Sequence, residues 1–96
     1  MSESLDSLPS DFPMDQEEWD FIVKASELST QQIRVVELIL AGKQNKEIAA
    51  AMKLSVHTIE TYLKRIYART HTDSRTSLAV HVLALGIQYL RSKIDE

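Results

Sequence analysis

Between Ser55 and Thr70 the apolar residues Val56, Ile59, Leu63 and Ile66 recur at spacings of three, four and three. That spacing predicts one apolar stripe on a helix capped by Ser55. At about 100° per residue, His57, Thr61, Lys64 and Ala68 point the opposite way, flanked by Glu60 and Arg65. Upstream, Ser29 is placed to cap a helix running to about Ala41, with Gly42 as its closing glycine. Val35, Val36, Leu38, Ile39 and Leu40 give that helix a broad core face. Asn45 is expected to cap a short helix over 46–52, with Glu47 in its first turn, where the helix dipole favours an acid. Ala49, Ala50 and Ala51 are small enough to admit another helix, and Lys53-Leu54-Ser55 form a three-residue turn.

A last helix begins at Asp73 or Ser74. Its residues Leu78, Ala79, Val80, Val82, Leu83, Ala84 and Leu85 are apolar nearly all the way round. One small core cannot cover such a helix on every side, so a second partner is implied, most simply another copy of the chain. Gly86 either ends this helix or lets it continue through Ile87 to Ile94. Ahead of the domain, Asp15 and Glu18 have capping-box spacing before Trp19, Ile22 and Val23, which suggests a short helix over about 15–25. It packs on the domain or serves a dimer or partner contact. Residues 1–13, acidic and holding both prolines, read as disordered. Two glycines, two prolines, no alternating run and no repeat leave an all-α fold. Its parts are an acidic N-terminal extension over 1–27, a helix-turn-helix domain over 28–87, and a tail or helix extension over 88–96.

Charge changes the picture. The formal net charge is −3, which by itself argues against a nucleic-acid partner. Residues 1–27 hold eight acids and one base, whereas residues 28–96 hold ten bases and six acids. A basic module follows an acidic leader, and local charge sets the field that a phosphate backbone feels. The leader is either a solvated tail or a segment that folds back over the basic helix. The chain has no cysteine, which excludes disulfides and thiolate metal sites and suits a reducing compartment. No apolar run nears the roughly 20 residues that cross a bilayer, and the N-terminus lacks the pattern of a signal peptide. A cytoplasmic location is expected.

Two short helices joined by a tight turn, the second polar on its outer face, make a helix-turn-helix. The major groove admits one α-helix and shows a distinct hydrogen-bonding pattern for each base pair. The candidate base-reading residues are His57, Glu60, Thr61 and Lys64. Lys64 can donate to guanine, Glu60 can accept from cytosine N4, and Thr61 can touch a thymine methyl. Ser55, Thr58 and the free amides at the helix start can hold a phosphate. Lys46, Arg65 and Arg69 are candidate phosphate neutralisers. By pattern alone, a generic helical interaction module remains the rival reading.

The residues Leu28-Ser29, Ala41-Gly42, Asn45-Lys46-Glu47-Ile48-Ala49, Leu54-Ser55, Thr58-Ile59-Glu60, Ile66, Ser74-Arg75-Thr76 and Gly86 together resemble the DNA-binding domain of the LuxR/FixJ/NarL class of bacterial regulators. The resemblance implies a four-helix domain like the C-terminal effector domain of LuxR-type proteins, its third helix in the major groove and its fourth a dimer face. Val80, His81, Ala84 and Leu85 are the dimer candidates. It also implies dimeric binding to inverted repeats near promoters. Glu60, Thr61 and Lys64 would then face bases, and Lys46, Thr58 and Arg69 the backbone. The chain departs from the family pattern at four places. Glu60 stands where a base is usual and Gln32 where Glu is usual. Lys53 replaces a turn glycine, and Arg69-Thr70-His71-Thr72 replaces a more apolar helix end. Family members usually carry a sensing domain as well; this chain resembles those that stand alone.

His57, His71 and His81 lack metal-site spacing and read as surface or interface residues. Thr58 and Tyr62 have no His–carboxylate arrangement around them, and two glycines cannot build a phosphate loop. No enzyme activity, cofactor, metal, membrane or small-molecule ligand is indicated. Arg75 is either an intradomain salt bridge or a DNA contact. The expected function is sequence-specific binding of double-stranded DNA as a homodimer that regulates transcription. The alternative is a protein-binding modulator that pairs with a related regulator or RNA polymerase and binds DNA weakly.

Overall fold

A computed structural model describes residue 12 and residues 14–95. The disorder expected over 1–13 lies outside the described residues, Phe12 excepted. Five helices follow in order: α1 (Gln16–Ser26), α2 (Thr30–Leu40), α3 (Asn45–Met52), α4 (Val56–Thr70) and α5 (Arg75–Ile94). There is no strand among the described residues. The four helices expected of the domain are α2–α5, and the leader helix makes the fifth.

Local chemistry sets the boundaries. Asp15 Oδ1 accepts from the Glu18 amide at 2.9 Å and caps α1. The other half of that expected box does not form, because the Glu18 carboxylate turns toward Gly86. At α2 the box is complete. Gln32 donates its amide to Ser29 Oγ at 3.2 Å and accepts from the Ser29 amide through Oε1 at 2.9 Å. The neutral Gln32 therefore does what a glutamate would do there. Asn45 is a correction: it is the first residue of α3, and Gln44 holds the cap position, its amide donating to Glu47 Oε1 at 2.8 Å. The Asn45 side chain is occupied elsewhere, as described below.

Three helices close in one way. Gly42 (φ 84°), Lys53 (φ 58°) and His71 (φ 57°) are all left-handed. After each, the next amide reaches back to a carbonyl of the last turn: Lys43 to Leu38, Leu54 to Ala49, Thr72 to Tyr67, all at 2.9 Å. Only the first uses glycine, so Lys53 and His71 each carry backbone strain of about 1 kcal/mol. Thr70 supplies a polar end to α4. Its buried hydroxyl donates to the Ile66 carbonyl at 2.8 Å and meets Thr72 Oγ1 at 2.8 Å, so the less apolar helix end is satisfied from within.

The core joins all five helices. Trp19, Ile22, Val35, Val36, Ile48, Ile59, Ile66 and Leu78 are its fully buried large side chains. Two expectations are corrected here. Val56 is 40% exposed at the head of α4, and the buried stripe runs Ile59, Leu63, Ile66, Thr70 instead. Of the three alanines in α3 only Ala49 is buried, because neighbours on a helix diverge by about 100°. Gly86 does not end the last helix, which continues to Ile94.

α1 runs antiparallel to α5 and covers one of its faces. Phe21 lies 5.4 Å from Tyr89 between ring centroids. The Tyr89 hydroxyl donates to Glu17 Oε1 at 2.8 Å, and Lys93 Nζ is 3.8 Å from the same carboxylate. That hydrogen bond, with burial and the charges of Glu17, Asp15 and Glu18, pushes the Tyr89 phenol up to about 12. Part of the apolar surplus of α5 is thus met inside the chain, by the leader helix.

Candidate nucleic-acid interface

α3 and α4 form the helix-turn-helix. Ile48 and Ala49 of α3 are buried, as are Ile59, Leu63 and Ile66 of α4, and residues 53–55 make the turn. Burying the 59-63-66-70 stripe fixes the rotation of α4 about its axis. Its opposite face must then look outward. His57, Glu60, Lys64 and Ala68 are exposed on that face and Thr61 is half-buried. Thr61 donates its hydroxyl to the His57 carbonyl at 3.2 Å, which holds its rotamer and leaves its oxygen lone pairs available. All four candidate base readers thus lie on one side of one helix.

The backbone candidates divide. Ser55 Oγ accepts from the Thr58 amide at 3.1 Å and lies 3.0 Å from Thr58 Oγ1, so both hydroxyls are engaged in capping. The first-turn amides of any helix retain unpaired donors and a partial positive charge, which is the part of this end that suits a phosphate. Lys46 is exposed on the first turn of α3, and Arg65 is exposed on the flank of α4. Arg69 is tied inward: its Nη2 donates to the Glu27 carbonyl at 2.8 Å, linking the end of α4 to the end of α1. The acid Glu47 on α3 is held by its cap, whereas Glu60 stands exposed among the candidate base readers.

Arg75 makes an intradomain contact, but no salt bridge. It donates to the Lys43 carbonyl at 2.8 Å and to Asn45 Oδ1 at 2.7 Å. It therefore staples the start of α5 to the α2–α3 turn and sets the angle at which α3 leaves. The role of Asn45 as its acceptor was missed from sequence, because a polar residue before a helix reads first as a cap.

The dimer candidates also divide. Val80 and Ala84 are exposed, His81 is half-buried, and Leu85 packs against the core cluster. Sequence reasoning left out Leu83, Ile87, Leu90 and Ile94 as candidates, although all four are more than half exposed on α5. Their three-and-four spacing was the available signal.

The family model for bacterial regulatory proteins of the luxR family (GerE) matches residues 26–82, from the end of α1 into α5. The chain belongs to the luxR family. It carries a luxR-type helix-turn-helix domain, formed here by α3 and α4. The response regulator Rre1 of Synechocystis sp. is 43% identical over 53 residues, covering 55% of this chain and 23% of that protein. The putative HTH-type transcriptional regulator YhjB of Escherichia coli is 34% identical over 53 residues, 55% of this chain and 26% of YhjB. The uncharacterized response regulatory protein YgeK of Escherichia coli is 32% identical over 62 residues, 65% of this chain and 42% of YgeK. The chain thus spans about a quarter of the first two relatives. No solved structure matches it. Among the described residues, no helix is long and apolar enough to cross a membrane.

Proposed function

We propose that this luxR-family chain binds double-stranded DNA sequence-specifically, as a homodimer, and regulates transcription in the bacterial cytoplasm. One observation carries the reading: the buried stripe of α4 leaves His57, Glu60, Thr61 and Lys64 together on its outward side, within its first nine residues, the end that reaches base edges in a major groove. Lys64 donates to a guanine edge, Glu60 accepts from cytosine N4, and Thr61 contacts a thymine methyl. Lys46, Arg65 and the α4 N-terminus at Ser55 and Thr58 hold phosphates and fix the register. Arg69 assists from the far end of α4 with the donors that Glu27 does not use. Val80 and Ala84, with His81 at the edge, lie on the dimer face. Contact with RNA polymerase or a related regulator follows promoter binding.

The test is selection of bound duplexes from a random pool by the purified chain at moderate salt. An enriched inverted repeat supports the reading, and its half-site spacing reports the dimer geometry. A folded chain that enriches nothing overturns it in favour of a modulator that acts through protein contacts, with Glu60 as the residue that weakens DNA binding.

A further inference from the structure

α1 and α2 enclose a cleft of about 150 Å³ that takes no part in the helix-turn-helix. Its apolar walls are Trp19 and Val23 of α1, Leu28 of the connecting turn and Ile33 of α2. Its charged groups are two carboxylates, Asp20 and Glu37, and no lysine or arginine lines it among the described residues. Trp19, Asp20 and Val23 lie ahead of residue 26, where the family match begins. The cleft therefore exists because the leader helix packs on the domain.

Glu37 is the more sheltered carboxylate, its side chain 11% exposed. Its Oε2 accepts from the Trp19 indole N–H at 3.0 Å, which fixes the carboxylate against α1. Its Oε1 accepts no hydrogen bond among the described residues, and Arg34 Nη1 stays 3.9 Å away, beyond hydrogen-bond length. One oxygen of a sheltered carboxylate is thus left for a further donor. Shelter from water also raises the proton affinity of Glu37, and a cation beside it offsets part of what burial costs the ionised form. Asp20 is exposed, and Gln16 occupies only its Oδ1, at 2.8 Å.

Size and charge select the occupant. A cavity of this volume holds a body about the size of benzene. An anion would face two carboxylates with no cation on the lining. A neutral apolar molecule would leave Glu37 Oε1 without a donor. An ammonium group on a small apolar body meets both requirements, with N–H donors for the carboxylate and hydrocarbon for the walls. We propose that the α1–α2 cleft binds a small organic ammonium ion, its head on Glu37 Oε1 in the negative field of Asp20 and its apolar body against Val23, Leu28 and Ile33. Sequence patterns hide such a site, because its two carboxylates stand on different helices.

Trp19 is the single tryptophan, so its fluorescence reports on the cleft. The full chain would be titrated with benzylammonium chloride at matched ionic strength, with benzyl alcohol and benzoate as uncharged and anionic controls, and calorimetry would follow the same titrations. Benzylammonium should bind saturably with a Kd of about 1 mM or tighter. It should bind about tenfold more tightly than either control, because hydrogen bonds to charged groups are the stronger ones. Glu37→Gln should weaken benzylammonium about tenfold, and Asp20→Asn about threefold. Both variants keep the fold, the first because its amide oxygen still accepts from Trp19 and the second because Asp20 is exposed; circular dichroism checks this. Equal binding of benzyl alcohol makes the cleft a purely apolar one and overturns the ammonium assignment. Benzylammonium binding unchanged by Glu37→Gln places the ion elsewhere and overturns the site. No saturable change by either method up to about 10 mM also overturns it.

Discussion

Trp19 donates its indole N–H to Glu37 Oε2 at 3.0 Å, joining the leader helix α1 to α2 across the core. Trp19 is 1% exposed. Burial pushes the Glu37 carboxyl above its usual range, while the Trp19 hydrogen bond and Arg34, 3.9 Å away, pull it partly back. A carboxyl raised in the folded state favours folding below its unfolded pKa of 4.5, and that contribution is lost as pH rises through the folded value. Glu37→Gln keeps an oxygen for Trp19 and cannot ionise. Its Tm should match the wild type near pH 4 and exceed it increasingly as pH rises toward neutrality. Thermal unfolding of both proteins across that range is the check, and a constant gap would refute the assignment.

Lys53 sits at φ 58° in the turn of the helix-turn-helix, where glycine carries no steric penalty. Lys53→Gly relieves about 1 kcal/mol of strain and gives part of it back through a more flexible unfolded chain. A net gain of about 0.5 kcal/mol in urea unfolding is expected. An unchanged or lower midpoint would mean that the Lys53 side chain stabilises the turn.

Gly86 stands inside α5, where glycine costs about 1 kcal/mol relative to alanine. The obstacle to a Cβ is the end of the Glu18 side chain at 3.0 Å, which can swing away; Ile22 Cδ1 follows at 3.8 Å. Gly86→Ala should therefore stabilise the chain by about 0.5–1 kcal/mol. Gly86→Val should destabilise it, because its methyls reach Ile22 in the core. Denaturant midpoints for the pair decide this, and a loss with alanine would show that α1 cannot yield at all.

The helices of the domain were legible in the sequence because each signal was local. Ser29, Gly42 and Ser55 act as cap residues where expected, and the helical period places the polar side of α4. What remained illegible depended on distant partners. Gly86 leaves the end of the last helix open in sequence until α1 is seen against it. Asn45 reads as a cap until Arg75 arrives from 30 residues away. Arg69 reads as a free cation until Glu27 offers its carbonyl across 42 residues. Leu83 and Leu85 look alike in sequence, yet only packing turns Leu85 inward.

Lys64 and Lys46 should respond differently to removal. Lys64 is exposed among the candidate base readers on α4, and Lys46 is exposed on the first turn of α3. Lys64→Ala should weaken binding to the selected operator by about 1–3 kcal/mol and relax preference at one base pair. Lys46→Ala should weaken all duplexes alike and lower the salt slope by about one. Fluorescence anisotropy at several salt concentrations, with matched and mutated operators, separates the two. Binding untouched by both changes would overturn the groove assignment.

Glu60 gives the sharpest contrast, because two opposing effects meet at one side chain. Its carboxylate is exposed in the middle of the face assigned to the groove, so it repels phosphates over the whole duplex. If it reads a base as proposed, its acceptor oxygens select cytosine at one position. Glu60→Gln removes the charge while keeping an oxygen and adding a donor. Binding to random-sequence DNA should tighten, since one repulsive charge is lost from the phosphate field. Discrimination at the cytosine position should fall by about 1–3 kcal/mol, since the amide can also face adenine. Competition between operator and random DNA measures both quantities at once. Tighter random binding with discrimination intact would mean that Glu60 acts only through its charge and reads no base.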